Sequence, residues 1–87
     1  MSKHKLLIID DSREFTEDLV LMLGDKYEIL TADTAEKGLR IVKNTLVSVL
    51  LLDLQLPDIH GLDVLEKIHN DVDPYLPVIV VTEYDDM

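Results

Sequence analysis

Three apolar segments of this chain each run directly into one or two short polar residues. The segments and the residues that follow them are Leu6–Ile9 with Asp10 and Asp11, Val49–Leu52 with Asp53, and Val78–Val81 with Thr82. Uninterrupted apolar runs of this length are typical of strands covered on both faces, as in parallel sheets. Ligands bind at the carboxyl ends of the strands in open α/β sheets, so the polar residues are expected to line one pocket.

Helical patterns separate these apolar segments. The spacing of apolar residues predicts helices at about 12–23, 35–44 and 62–70, and a weaker strand at Tyr27–Thr31. The positions expected to face inward are Phe15, Leu19, Met22 and Leu23 in the first helix, Ala35, Leu39 and Val42 in the second, and Leu62, Leu65 and Ile68 in the third. The order β-α-β-α-β-α-β predicts an α/β fold, a parallel sheet with helices on both faces.

Composition narrows the classes of function. The 87 residues make at most one domain, and 47% hydrophobic with 30% charged residues is typical of a globular protein. The net charge of -10 disfavours binding to nucleic acid or anionic membranes and favours cations and basic partners, although acidity also serves solubility alone. The chain has no cysteine, which excludes disulfides, thiolate metal sites and a cysteine nucleophile.

The sequence carries no pattern for membrane insertion or export. No apolar run approaches the roughly 20 residues of a membrane span. Only four apolar residues, Leu6–Ile9, follow the polar start of the chain, which is too short for a signal peptide. We therefore expect a cytoplasmic protein.

The three aspartates at the strand ends are candidate metal ligands. Asp10 and Asp11 are adjacent and point in different directions, so one can bind a cation directly and the other through water, an arrangement that suits Mg²⁺. The structural alternative is that Asp11 caps the following helix and Asp10 is solvated. Asp53 ends the most apolar stretch of the chain, where a negative charge is unfavourable unless a cation offsets it. The structural alternative is that Asp53 is a simple strand-end cap.

Other polar residues carry weaker signals. Thr82 can donate a hydrogen bond to an anion held over Asp53, or can be an ordinary strand-end residue. The three histidines, His4, His60 and His69, have no partner at metal-ligand spacing and are interpreted as surface residues.

Taken together, these motifs resemble the receiver domain of bacterial two-component response regulators. The matching pieces are Leu7–Ser12 with its Asp-Asp pair, Leu51–Leu62 with the pattern Asp-x-x-x-Pro-x-x-x-Gly, and Pro77–Thr82. They occur in the family's order and at its usual separations, and the resemblance covers residues 1–87. It implies a flavodoxin-like, doubly wound parallel sheet with strand order 2-1-3-4-5.

The resemblance also implies a function in phosphorelay signalling. Asp53 would accept a phosphoryl group from a sensor histidine kinase or phosphotransfer protein, and the domain would assist only its own phosphorylation and dephosphorylation, without being an enzyme. Mg²⁺ would be bound directly by Asp11, Asp53 and the backbone carbonyl of Gln55, with Asp10 holding a metal-bound water. Thr82 would bind a phosphoryl oxygen and move inward on phosphorylation, and the output would pass to a downstream protein target.

The chain departs from the family pattern in two ways. It stops at Met87, before the last helix, strand and helix of a receiver domain, so no residue can be assigned to the lysine that normally ends the fifth strand. Glu83 stands where the family usually has a small residue, and we expect small phosphodonors to react faster with a Glu83→Ala variant. Without a fifth strand, Val78–Val81 becomes an apolar edge strand, which predicts self-association.

Two alternative functions compete with phosphoacceptor signalling. One is an interaction or dimerisation module that no longer depends on phosphorylation, favoured by the missing lysine and by Glu83. The other is a metal-dependent phosphatase, but those enzymes usually have Asp-x-Asp after the first strand, and this sequence has Asp10, Asp11 and Ser12.

Overall fold

The computed structural model describes residues 3–81 as four strands and three helices. In chain order the elements are β1 (His4–Ile9), α1 (Arg13–Leu23), β2 (Tyr27–Ala32), α2 (Ala35–Asn44), β3 (Val49–Asp53), α3 (Gly61–Asp71) and β4 (Val78–Val81). All the predicted strands and helices are present, with ends that differ by at most two residues from those expected. Thr82 and Glu83 lie outside the described residues.

The strands form one parallel sheet in the order β2-β1-β3-β4. This confirms the order 2-1-3-4 for the strands that the structure describes. Ile9 at the end of β1 pairs with Leu52 in β3, so Asp10 and Asp53 follow at the same level of the sheet. The register therefore aligns the two strand ends that carry the aspartates.

Local hydrogen bonds fix where the first two helices begin. Ser12 caps α1, because its Oγ accepts a hydrogen bond from the Phe15 N–H at 3.3 Å. Thr34 caps α2 in the same way through the Lys37 N–H at 3.2 Å. Since Ser12 is the cap of α1, the alternative in which Asp11 caps this helix is wrong.

The sheet is covered unequally on its two faces. Right-handed crossovers place α1 on one face and α2 with α3 on the other. The larger core lies under α2 and α3, where Leu7, Ile9, Leu50 and Leu52 are fully buried against Val64 and Ile68. Gly38 of α2 lies so close to β1 that a Cβ there would come within 2.3 Å of the Ile9 Cδ1. This close approach seats α2 on the sheet next to the strand that leads to Asp10.

Two residues predicted to face inward are exposed. Met22 is 72% exposed, whereas Leu19 and Leu23 of the same helix are half-buried, and the helical period places Met22 at the margin of the face that these two residues share. Leu62 is 54% exposed because it lies about 100° around the helix from Gly61, which faces the sheet. Val64, which the pattern missed, is fully buried instead.

The histidines only partly match the expectation of surface residues. His4 and His60 are exposed, but His69 is half-buried, and its Nε2 donates a hydrogen bond to the Leu76 carbonyl at 3.2 Å. No helix within residues 3–81 combines the length and apolar character needed to cross a membrane.

Candidate metal centre

The structure brings three of the predicted site residues together at the carboxyl end of the sheet. One carboxylate oxygen each from Asp10, Asp11 and Asp53 lies within 4.8 Å of the other two. Asp10 and Asp11 follow β1, and Asp53 is the last residue of the neighbouring strand β3. Three carboxylates this close repel each other unless a cation lies between them.

Asp10 is held by backbone hydrogen bonds on both sides. Its N–H donates to the Ala32 carbonyl at 3.0 Å, which continues the pairing of β1 with β2 beyond the strand. Its Oδ1 accepts a hydrogen bond from the Ser12 N–H at 2.8 Å. The turn into α1 therefore orients the Asp10 carboxylate. Asp11, which lies between Asp10 and Ser12 in the sequence, is exposed.

Asp53 is the most deeply buried acidic residue among those described, at 8% exposure. Its Oδ1 accepts a hydrogen bond from the Gln55 N–H at 3.1 Å. No lysine or arginine within residues 3–81 forms an ion pair with Asp53 or Asp11. A buried carboxylate of this kind is costly without a compensating charge, so the donor set fits a small divalent cation with oxygen ligands.

Gln55 lies two residues beyond Asp53 in the loop that joins β3 to α3. The loop is closed by a hydrogen bond from the Gly61 N–H to the Leu54 carbonyl at 3.0 Å. The contact between Gln55 and Asp53 places the Gln55 backbone beside the acidic cluster. The Gln55 N–H is thus the backbone group of this loop that contacts the cluster directly.

An open groove of about 920 Å³ adjoins the cluster on the α1 side. Asp10 and Asp11 are among the residues that line it, together with Val20 and Leu21 of α1. Asp53 does not line this groove. The exposed Asp11 therefore gives the cluster a side that is open to solvent.

Sequence reasoning missed one residue of this region. The carboxylate of Asp58 accepts hydrogen bonds from the Ala35 and Glu36 N–H groups at 2.9 and 3.0 Å. These bonds hold the pKa of Asp58 below its usual value, with the Ala35 N–H making the largest contribution. No local pattern signals a contact between residues this far apart in the sequence.

Comparison with known proteins gives the family of the chain. The model of the response regulator receiver domain matches residues 6–87. Among solved structures, a CheY-like receiver domain protein from Methanospirillum hungatei JF-1 superposes with a TM-score of 0.90 at 33% identity, covering 99% of this chain and 69% of that one. A response regulator from Chloroflexus aurantiacus J-10-fl gives 0.89 at 31% identity, covering 99% and 72%.

Among curated proteins, the relative named "Probable transcriptional regulator ycf27" from Guillardia theta is 32% identical over 89 residues. The match covers 99% of this chain and 34% of the relative, so the chain spans about a third of the length of that protein. The parallel sheet, the aligned aspartates and these matches agree on one assignment. The chain belongs to the family of response regulator receiver domains, whose role is phosphorelay signal transduction.

Proposed function

We propose that residues 1–87 belong to one receiver domain in which Asp53 accepts a phosphoryl group. The observation that carries this proposal is the burial of Asp53 at the end of β3, with its carboxylate within 4.8 Å of those of Asp10 and Asp11. A buried carboxylate beside two others that could hold a cation gives phosphoryl transfer a positioned nucleophile and a place for the neutralising charge.

The residues of the cluster fit Mg²⁺ as the cofactor. Asp11, Asp53 and the Gln55 carbonyl would bind the ion directly, and Asp10 would hold a water bound to it. Mg²⁺ prefers oxygen ligands and retains several waters, which matches a site that has one exposed carboxylate. When bound, the ion supplies the positive charge that neutralises the carboxylates and the phosphoryl oxygens.

The transfer step needs little from the protein beyond position and charge. An Asp53 oxygen forms a bond to phosphorus while the bond from phosphorus to the donor's imidazole nitrogen breaks, and the histidine leaves with its electron pair. The Gln55 N–H, 3.1 Å from Asp53 Oδ1, restrains the attacking carboxylate. Thr82, which lies outside the described residues, would donate a hydrogen bond to a phosphoryl oxygen.

The expected partners follow from this role. The phosphodonor would be a sensor histidine kinase or phosphotransfer protein, and the output would reach a downstream protein target through contacts in the cytoplasm. With a net charge of -10, direct binding to nucleic acid or to an anionic membrane is disfavoured. The domain would be a substrate that assists its own modification, and not an enzyme acting on others.

A second function is favoured by the edge of the sheet. Within the described residues, β4 pairs with β3 alone, and its Ile79 and Val80 are 55% and 42% exposed. An apolar edge strand recruits other strands. This supports self-association through β4, either alongside phosphorylation or as the sole role of an interaction module.

Mass spectrometry of the intact protein separates these functions. With Mg²⁺ and a small phosphodonor, the wild type is expected to gain the mass of one phosphoryl group, and Asp53→Asn is expected to gain none. Asp18→Asn, which changes an exposed aspartate on α1, serves as the matched control and should react like the wild type. A folded wild type that binds Mg²⁺ but gains no mass would favour the interaction module.

A further inference from the structure

One carboxylate joins the loop after β3 to the start of α2. Asp58 Oδ1 accepts a hydrogen bond from the Ala35 N–H at 2.9 Å, and Oδ2 accepts one from the Glu36 N–H at 3.0 Å. These partners are 23 and 22 residues away in the sequence. Both oxygens of the side chain therefore join the loop after β3 to the start of α2.

Three N–H groups at the start of α2, those of Ala35, Glu36 and Lys37, precede the first regular helix bond, which runs from the Gly38 N–H to the Thr34 carbonyl at 3.1 Å. Thr34, the local cap, accepts the Lys37 N–H through its side chain. Asp58 accepts the other two, from Ala35 and Glu36. A helix normally leaves such groups to its own cap or to water, and here a distant loop satisfies two of the three.

The loop that carries Asp58 is the one that carries Gln55. At its start the Gln55 N–H donates to Asp53 Oδ1, and at its end the Gly61 N–H donates to the Leu54 carbonyl. The Leu54 N–H also donates to the Val81 carbonyl of β4 at 3.4 Å. Asp58 lies between these contacts and bonds to α2, and among the hydrogen bonds described only those of Asp58 connect the loop to that helix.

We propose that Asp58 is a positioning residue, which holds the segment from 54 to 61 against α2 and thereby fixes the Gln55 backbone beside Asp53. The contribution to the cation site rests on the proposed function, whereas the holding of the loop does not. The bonds join an anionic acceptor to the positive end of a helix, which strengthens them relative to neutral pairs. The lowered pKa of Asp58 agrees with a carboxylate that remains ionised in this contact.

The competing explanation is that Asp58 is merely a cap for α2. Thr34→Ala is the matched control, because it removes a cap from the same helix end without touching the loop. A pure cap predicts that Asp58→Ala and Thr34→Ala both destabilise the protein and affect the loop alike. A positioning residue predicts that only Asp58→Ala affects the loop.

Two measurements distinguish these explanations. The first is amide hydrogen exchange without metal, with the rate at the Leu50 N–H in the sheet as the internal reference. Relative to that reference, the exchange rates of the Gln55 and Gly61 amides should be at least several-fold higher in Asp58→Ala than in Thr34→Ala. Calorimetric titration with Mg²⁺ should give a Kd raised about tenfold in Asp58→Ala, as for other residues that support metal ligands, and unchanged in Thr34→Ala. Equal exchange at the loop amides in the two variants would overturn the proposal.

The design also separates this proposal from the proposed function. If the wild type binds no Mg²⁺, the cation site fails and the exchange data alone decide whether Asp58 holds the loop. If Asp58→Ala does not fold, Asp58→Asn retains one acceptor oxygen and should show the same changes at smaller size. An Asp58→Asn variant with exchange and Mg²⁺ affinity like the wild type would contradict the proposal.

Discussion

Gly61 lies directly against the backbone of Leu54. The Gly61 N–H donates to the Leu54 carbonyl at 3.0 Å, and a Cβ at position 61 would come within 2.6 Å of the Leu54 Cα. A Cβ there would also lie 2.6 Å from the Asp53 carbonyl oxygen. The glycine is required by this close approach of two backbone segments, and it closes the loop that follows the proposed phosphoacceptor.

We therefore expect Gly61→Ala to lower both stability and Mg²⁺ affinity. Overpacking costs about 1–3 kcal/mol, and here the obstructing atoms are backbone, which can shift only with the loop itself. Replacing Gly by Ala in a helix returns at most about 1 kcal/mol. Urea unfolding and Mg²⁺ titration measure the two effects, and an alanine variant as stable as the wild type would contradict this account of the loop.

Gly38→Ala tests the contact between α2 and β1. The new Cβ would meet the Ile9 side chain, at 2.3 Å from Cδ1 and 2.7 Å from Cγ1. Because the nearest atom ends a side chain, we expect a net loss of about 1 kcal/mol, smaller than for Gly61→Ala. In an Ile9→Val background, which lacks Cδ1, the same substitution should cost less in urea unfolding. An equal cost in both backgrounds would place the obstruction elsewhere.

The sequence predicted the sheet and the aspartate cluster because both depend on local patterns. Apolar runs mark buried strands, and the parallel order aligns their carboxyl ends, so Asp10 and Asp53 meet without any further information. The contact between Asp58 and α2 joins residues 22 and 23 positions apart, and no periodicity encodes it. The prediction for Leu62 is wrong because three apolar residues in a short helix do not define which face is buried, and the buried face of α3 includes Val64 instead.

Acid should destabilise the protein partly through Asp58 and Asp33. Hydrogen bonds from the backbone lower the pKa of Asp58, and the Lys37 side chain lowers the pKa of Asp33. Because both pKa values are depressed in the folded state, their stabilisation is present above the unfolded value of about 3.9 and is lost as the pH falls through the folded values. The urea midpoint should therefore decrease below about pH 4.

Asp58→Asn provides the control for this pH dependence. The amide does not titrate, so the variant should start less stable at neutral pH and lose less stability on acidification than the wild type. If both proteins lost the same amount of stability on acidification, Asp58 would not contribute to the pH dependence of stability.

The edge strand predicts self-association that a charge can prevent. Light scattering of a concentrated wild-type sample should give a mass above the 9.9 kDa of one chain. Val80→Lys places a charge on the exposed edge and should restore the monomer mass. Leu46→Lys is the matched control, since it makes the same change of charge at an exposed leucine outside the sheet and should leave association unchanged. A monomeric wild type would rule out this surface.

Locating the phosphorylated residue tests directly whether Asp53 is the phosphoacceptor. The protein is treated with Mg²⁺ and a small phosphodonor and then reduced with borohydride, which converts an aspartyl phosphate to homoserine, and the peptides are sequenced by tandem mass spectrometry. We expect homoserine at position 53, and none when Mg²⁺ is chelated. Homoserine at another aspartate, or none in a folded sample that binds Mg²⁺, would contradict the assignment of Asp53 as the phosphoacceptor.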